Sequence, residues 1–505
     1  MLFNSPEFIF VFLPAAVVLH FLLARHSVAA ACLTTTITSL IFYLWWRPPF
    51  VLLPVLSILV NFALGSWIVR ADALTARRLM ILGICGNMAV LIYFKYADFL
   101  LSIVTGMPVG APKVPLALSF TTFVQIAFLV DVWRRREVGR FDQYSMFVAF
   151  FPHLIAGPIV RWTELGPQIA EPSRYRVDWN NVALGLTIFL FGLAKKMLIA
   201  DPLGEFVAPV FDAAARGEAV TAAAAWGGAL AYSGQLYFDF SGYSEMAIGL
   251  GLLFNLRLPI NFAAPFRATS IVDFWRRWHV SLSRFLRDFV YVPLGGSRRG
   301  PSRSAVNLVA TVTIGGLWHG AGWTFIAWGA WNGVLLAINH AWLQWRGSAR
   351  PTRIKTLLSW LATFVAFAIG MVFFRAADMP PAILLLKNMA GIDTAQPATA
   401  IILHWDIWGI RRGYLSDEFI RQVFGSTWSV VGTVWTLGAL AIALLLPETI
   451  EWMDYREGEP HSAWRRPVGE YAWRPSAAWL VLTLALFTGV FYQINRVSEF
   501  LYYQF

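Results

Sequence analysis

Apolar residues run along this chain in long blocks. Such blocks fall near 8–24, 29–46, 50–69, 79–103, 115–133, 144–160, 181–200, 221–238, 243–260, 305–340, 356–374, 428–447 and 476–494. A helix needs roughly 20 apolar residues to cross a hydrocarbon core, so the pattern predicts about 11 to 13 transmembrane or re-entrant helices, with 305–340 holding one or two. Loops are short up to residue 160. Two longer polar stretches, 375–425 and 448–475, are too short and too rich in tryptophan for flexible linkers and are expected to pack on the membrane surface. With no soluble domain and no internal repeat, the chain reads as one integral membrane domain, 1–505, whose core is near 145–340. In that central third polar residues invade apolar context, and ionisable groups inside a membrane mark function by default.

Composition agrees with this class. Of 505 residues, 58% are hydrophobic and 14% charged, against about 25% charged in soluble proteins; mean hydropathy is +0.59. The net charge of +11 gathers between apolar blocks, at Arg77–Arg78, Arg134–Arg136, Lys195–Lys196, Arg298–Arg299 and Arg411–Arg412. Such clusters give a positive-inside topology and contact with anionic lipid headgroups; the interleaved aromatics of RNA-binding modules are missing, so no nucleic-acid partner is expected. The first apolar block has no basic residue before it, unlike a cleavable signal peptide. It reads as a retained span with Arg25 and His26 at the cytoplasmic end, which predicts an N-terminus on the outer, periplasmic side. Cys32 and Cys85 both lie in apolar blocks without CxxC spacing, so neither a disulfide scaffold nor a cysteine metal site is expected.

Four constellations stand out. In FFPHLIAGPIVRW, 150–162, His153 and Arg161 flank a Gly-Pro break, either an ordinary helix end or a cavity wall. In 232–255, Gln235 and Asp239 lie one turn apart on one face. Asp239 is either a structural acceptor or a residue that lines a pore or orients a catalytic group, and Glu245 poses the same question. In 268–300, Phe274, Trp278, Leu282, Phe285 and Phe289 form one stripe of a continuous helix, with Thr269 or Ser270 as its cap and Pro293 and Gly295–Gly296 as its stop. Its charges, Arg276 among them, put it in the interface or a protein-lined funnel. His279 then sits about 100° from the stripe centre, beside Ser283, on the border between the two faces and able to point into a cavity. Finally, VTIGGLWHGAGWTFIAWGAWNG, 312–333, holds His319 with Trp318 and Trp323 among close-packing glycines. A lone buried histidine is usually a satisfied core residue; convergence with His279 would make it a catalytic candidate. The P-loop, GxGxxG, HExxH, GxSxG and soluble His-x4-Asp acyltransferase patterns are all missing.

At these residues the sequence resembles the membrane-bound O-acyltransferase (MBOAT) family, in its alginate O-acetyltransferase branch. The resemblance rests on MLFNSPEFIFVFLP, FPHLIAGPIVR, QLYFDFSGYSEMAIGLGLLFNLRLPINF, DFWRRWHVSLSRFLRDFVYVPLGG, GGLWHGAGWTFIAWGAWNG, VFFRA and the closing FLYYQF. It implies a ring-like all-α bundle with a central funnel or tunnel. His319 falls on the family's near-invariant histidine and His279 on its second position. It further implies an acetyl-CoA or similar thioester donor, with no bound cofactor, in a bacterial inner membrane. A periplasmic SGNH-type partner that decorates an exported polysaccharide is also implied. Histidine suits a general base near neutral pH: His319 would activate the acceptor hydroxyl and His279 would polarise or position the acyl carbonyl. D-alanyl transfer to teichoic acid, acetylation of cellulose or peptidoglycan, and transport without chemistry are the competing readings.

Overall fold

The computed structural model describes all residues except 46–49, 108–109, 111–113, 116, 156, 219, 348–351, 393–429, 456, 458–467, 497, 499 and 502–505. Arg411–Arg412, most of the stretch 375–425, part of 448–475 and the last residues of the closing FLYYQF lie outside the described residues. The described residues are helical, with no strand among them. In chain order the helices are α1 Phe8–Ala24, α2 Val28–Leu44, α3 Leu52–Arg70 and α4 Ala73–Thr105. Then come α5 Leu118–Arg135, α6 Phe141–Ala149, α7 Trp162–Ala170, α8 Trp179–Ala215 and α9 Ala222–Leu253. The remainder are α10 Ile271–Arg277, α11 Val280–Leu286, α12 Pro301–His319, α13 Trp323–Arg346, α14 Arg353–Arg375, α15 Met379–Met389, α16 Val431–Trp452 and α17 Ala477–Gln493.

By length and hydropathy five of these can cross a bilayer: α3, α4, α8, α14 and α16; α1, α2 and α17 are apolar but shorter. The chain is an all-α polytopic membrane protein. Three expected segments resolve differently. The blocks 221–238 and 243–260 contribute to one 32-residue helix, α9, about 48 Å long at 1.5 Å per residue. The block 144–160 is not a span: α6 ends at Ala149, one turn follows at Phe151–Leu154, and the chain runs extended from Pro158 to Val160. The block 305–340, expected to hold one or two helices, holds two, α12 and α13.

Close approach of small residues holds the bundle where lipid offers no hydrophobic drive between helices. A Cβ on Gly329 of α13 would lie 2.7 Å from the Cα of Thr313, and one on Gly333 2.7 Å from that of Val309, both on α12. Buried apolar side chains form two main clusters. One gathers α1, α2, α6, the C-terminal half of α9, and Leu282, Phe285 and Trp318. The other gathers the N-terminal half of α9, α14, α15, and Phe274, Trp278, Trp328 and Phe374. The candidate residues sit on the seam between them.

Candidate active site

The expected continuous helix over 268–300 is broken in the middle. Ser270 caps its start, accepting from the Asp273 amide at 3.1 Å, and α10 ends at Arg277. Trp278 is extended and His279 takes a left-handed backbone, φ 43° and ψ 54°. Helix α11 then starts at Val280, ends in a π-turn at Arg287–Tyr291, and turns follow through Pro293 and the two glycines. The helical-wheel position of His279 therefore does not apply. The break has a structural cause: the segment 261–263 runs alongside it. The Ala263 amide donates to the Arg277 carbonyl and the Val280 amide to the Asn261 carbonyl, each at 3.0 Å. Ser281 Oγ donates to Asn261 Oδ1 at 2.6 Å and accepts from the Ile159 amide at 2.9 Å. The extended chain after the Gly157–Pro158 break is thus what anchors the turn carrying His279.

His319 is the last residue of α12. The structure brings the two imidazoles together, with ring centroids 6.5 Å apart. His279 stands edge-on to Phe240 at 4.7 Å. His319 is boxed by Trp318, Trp328 and Phe374, at 4.9, 5.2 and 5.1 Å. Trp318 itself is stacked on Phe123, which stacks on Phe285. Both histidines are buried. A cavity of about 210 Å³ reaches His319, walled by Trp275, Leu282, Leu286 and Trp328, with Ser283 and Thr311 in the wall and Arg287 and Tyr291 at one end. Ser283 thus shares a wall with His319, its hydroxyl donating to the Trp275 carbonyl at 3.1 Å. His279 is not among the residues that line this cavity. The indole N–H groups of Trp275, Trp318 and Trp328 are buried and find no acceptor among the described residues. Buried donors of this kind are normally paired, so three of them around one imidazole mark a place where an acceptor oxygen would be well received.

Other candidates lie apart. Asp239 is held by Lys196 Nζ at 2.6 Å and by the Leu501 amide at 3.1 Å. Both carboxylate oxygens are engaged, so it serves as a structural acceptor and does not orient either imidazole. Glu245 likewise pairs with Lys195 at 2.5 Å. Gln235, on the same helix as Asp239, packs against α8 at Gly204. His153 bonds the Phe147 carbonyl at 2.8 Å, tying the turn Phe151–Leu154 back to α6. Arg276 is exposed. Among the described residues no cluster of three or more metal-ligating side chains occurs.

The sequence reading missed Phe374, although VFFRA had been singled out, and Trp328, which looked like one aromatic among many. It also missed Lys95, whose ammonium meets the carbonyl end of α12. The signal was there: Lys95 is a lone cation in the apolar block 79–103.

Comparisons with known proteins place the chain in a family. The description "MBOAT, membrane-bound O-acyltransferase family" matches residues 115–376, which contain both histidines. A protein of Pseudomonas aeruginosa named "Probable alginate O-acetylase AlgI" is 36% identical over the full length of both chains. A "Peptidoglycan O-acetyltransferase" of Helicobacter pylori is 39% identical over 78% of this chain and 80% of that protein. A "Teichoic acid D-alanyltransferase" of Streptococcus thermophilus is 29% identical over 48% of this chain and 60% of that protein. On the family match and the full-length similarity, this chain belongs to the membrane-bound O-acyltransferase family and is an O-acyltransferase.

Proposed function

We propose that this protein transfers acetyl groups from a cytoplasmic thioester, acetyl-CoA, to a polysaccharide outside the cytoplasm. The transfer is either direct or through a periplasmic SGNH-type partner. The observation that carries the reading is the pair of imidazoles 6.5 Å apart, one of them reached by a largely apolar cavity. His319 takes the proton of an acceptor hydroxyl. That oxygen forms a bond to the thioester carbonyl carbon, the C–S bond breaks, and the thiolate leaves with the proton that His319 returns. His279 positions the acyl carbonyl, and the indole N–H groups of Trp275 and Trp328 offer donors to its oxygen as negative charge develops there. General-base catalysis supplies about 10² to 10⁴-fold; holding both reactants in a dry cavity adds to it.

Acetyl is favoured over D-alanyl because the two acetyl-transferring relatives cover this chain far more completely than the D-alanyl-transferring one. The acceptor is a carbohydrate polymer of the alginate or peptidoglycan kind, as the names of those relatives suggest. The basic loop clusters support a bacterial inner-membrane setting with a periplasmic N-terminus and an anionic donor approaching from the cytoplasm. The test is incubation of the purified protein with radiolabelled acetyl-CoA and an alginate oligosaccharide, with and without the partner. Label should reach acceptor or partner with the native protein and fail to do so with folded His319→Ala. Transfer retained by folded His319→Ala would remove the assigned base.

A further inference from the structure

Helix α12 ends on the candidate base, and a helix end leaves its last carbonyls without intrahelical partners. Trp318 and His319 are buried, and buried backbone carbonyls are normally paired. Here a single neighbouring helix takes three in succession. Lys95 Nζ donates to the carbonyl of Trp318 at 2.6 Å and to that of His319 at 3.0 Å. The Tyr96 hydroxyl donates to the carbonyl of Leu317 at 2.8 Å. The third contact of the ammonium is Ser119 Oγ at 3.4 Å. Among the described residues Lys95 makes no ion pair, so its charge is spent on this helix end. Both side chains sit in the π-turn Ile92–Tyr96 inside α4, and π-turns in α-helices are rare and frequent at functional positions.

A lysine inside a membrane helix is expensive, and a hydroxyl, with its one O–H, would satisfy one carbonyl. The ammonium's three donors fix two consecutive carbonyls from one point and still reach Ser119. With the Trp318 and His319 carbonyls both held, the peptide plane between them is set, and with it the direction in which the His319 side chain leaves the backbone. The chain turns sharply just after, with Gly320 extended at φ −158°, so nothing downstream in the helix could do this.

We infer that Lys95 is a positioning residue for His319, with Tyr96 as its companion on the preceding carbonyl, that of Leu317. This rests on the reading of His319 as the base. Lys95 itself touches no reacting atom; it determines where the imidazole stands.

The experiment compares full-length native protein, His319→Ala, Lys95→Met, Lys95→Arg and Tyr96→Phe for transfer from radiolabelled acetyl-CoA to an alginate oligosaccharide. Melting temperature is read alongside. Lys95→Met should lower kcat by about 10- to 100-fold, the scale of a misplacement of roughly 1 Å, with KM for the donor unchanged. Lys95→Arg, which keeps a charged donor, should recover part of that loss, and Tyr96→Phe should lose less than Lys95→Met. Native kcat in folded Lys95→Met would overturn the assignment, as would equal loss in Lys95→Met and Lys95→Arg. If Lys95→Met does not fold, Lys95→Arg and Tyr96→Phe decide. A lower kcat at native melting temperature and KM supports the assignment, and native kcat in both overturns it. Transfer surviving in His319→Ala would instead overturn the base, whatever the Lys95 variants do.

Discussion

Lys196 Nζ lies 2.6 Å from Asp239 Oδ1, and the same ammonium reaches Asp201 at 2.7 Å. This ties α8 to α9 inside the bundle, and through the Leu501 amide it ties the chain's C-terminal region to both. Removing one partner of a buried pair strands the other charge, at about 3–5 kcal/mol. Asp239→Leu and Lys196→Met should each lower the melting temperature in detergent strongly. The double variant should recover part of the loss. A double variant whose loss equals the sum of the two single losses would show that the two groups do not act as a pair.

The left-handed backbone of His279 separates its conformational role from its chemistry. Valine is a poor fit at positive φ, and strained residues of this kind cost about 1–3 kcal/mol. His279→Val should therefore melt below His279→Ala, whereas His279→Gly, free to adopt φ 43°, should melt no lower than His279→Ala. All three should transfer acetyl poorly. Thermal melts of the three purified variants, with activity at a temperature where all are folded, check both statements.

Trp328 faces His319 edge-to-face at 5.2 Å with its indole N–H buried and unpaired among the described residues. Trp328→Phe keeps an aromatic ring and removes the donor. If that donor meets the developing oxyanion, kcat should drop by about 10²-fold or somewhat more, as for a lost oxyanion donor elsewhere, while the donor KM changes little. A fall confined to KM would place Trp328 in ground-state binding only.

The contact of α12 with α13 leaves no room at Gly329, where a Cβ would meet backbone 2.7 Å away. Gly329→Ala should destabilise by about 1–3 kcal/mol, the usual effect of overpacking. It should also lower transfer, because the α12 end that carries His319 must shift. Native melting temperature and activity in Gly329→Ala would show that the helix pair accommodates the methyl.

Much of the site was legible because the signal was chemical. His319, His279, Trp318 and Ser283 are polar or aromatic residues in unusual surroundings, and the structure gathers them near one cavity. Asp239 was equally conspicuous and turned out to be occupied by Lys196, a partner 43 positions away. No spacing rule connects them. A helical wheel does not place His279, because the segment 261–263 takes hydrogen bonds of its neighbours. Periodicity describes a helix that forms; it does not report a nearby chain that prevents it.

By itself the sequence determined that this chain lives in a bilayer and that its elements are helices. Those follow from transfer energies of long apolar blocks and from residue types, which are local properties. Tertiary structure alone decided the 6.5 Å approach of the two imidazoles, the seam between two apolar clusters where they meet, and the Lys95 cap on the helix that ends at His319. These depend on contacts between residues up to 224 positions apart. Such contacts arise only when separate helices pack and each buried polar group must find its partner wherever the fold brings one.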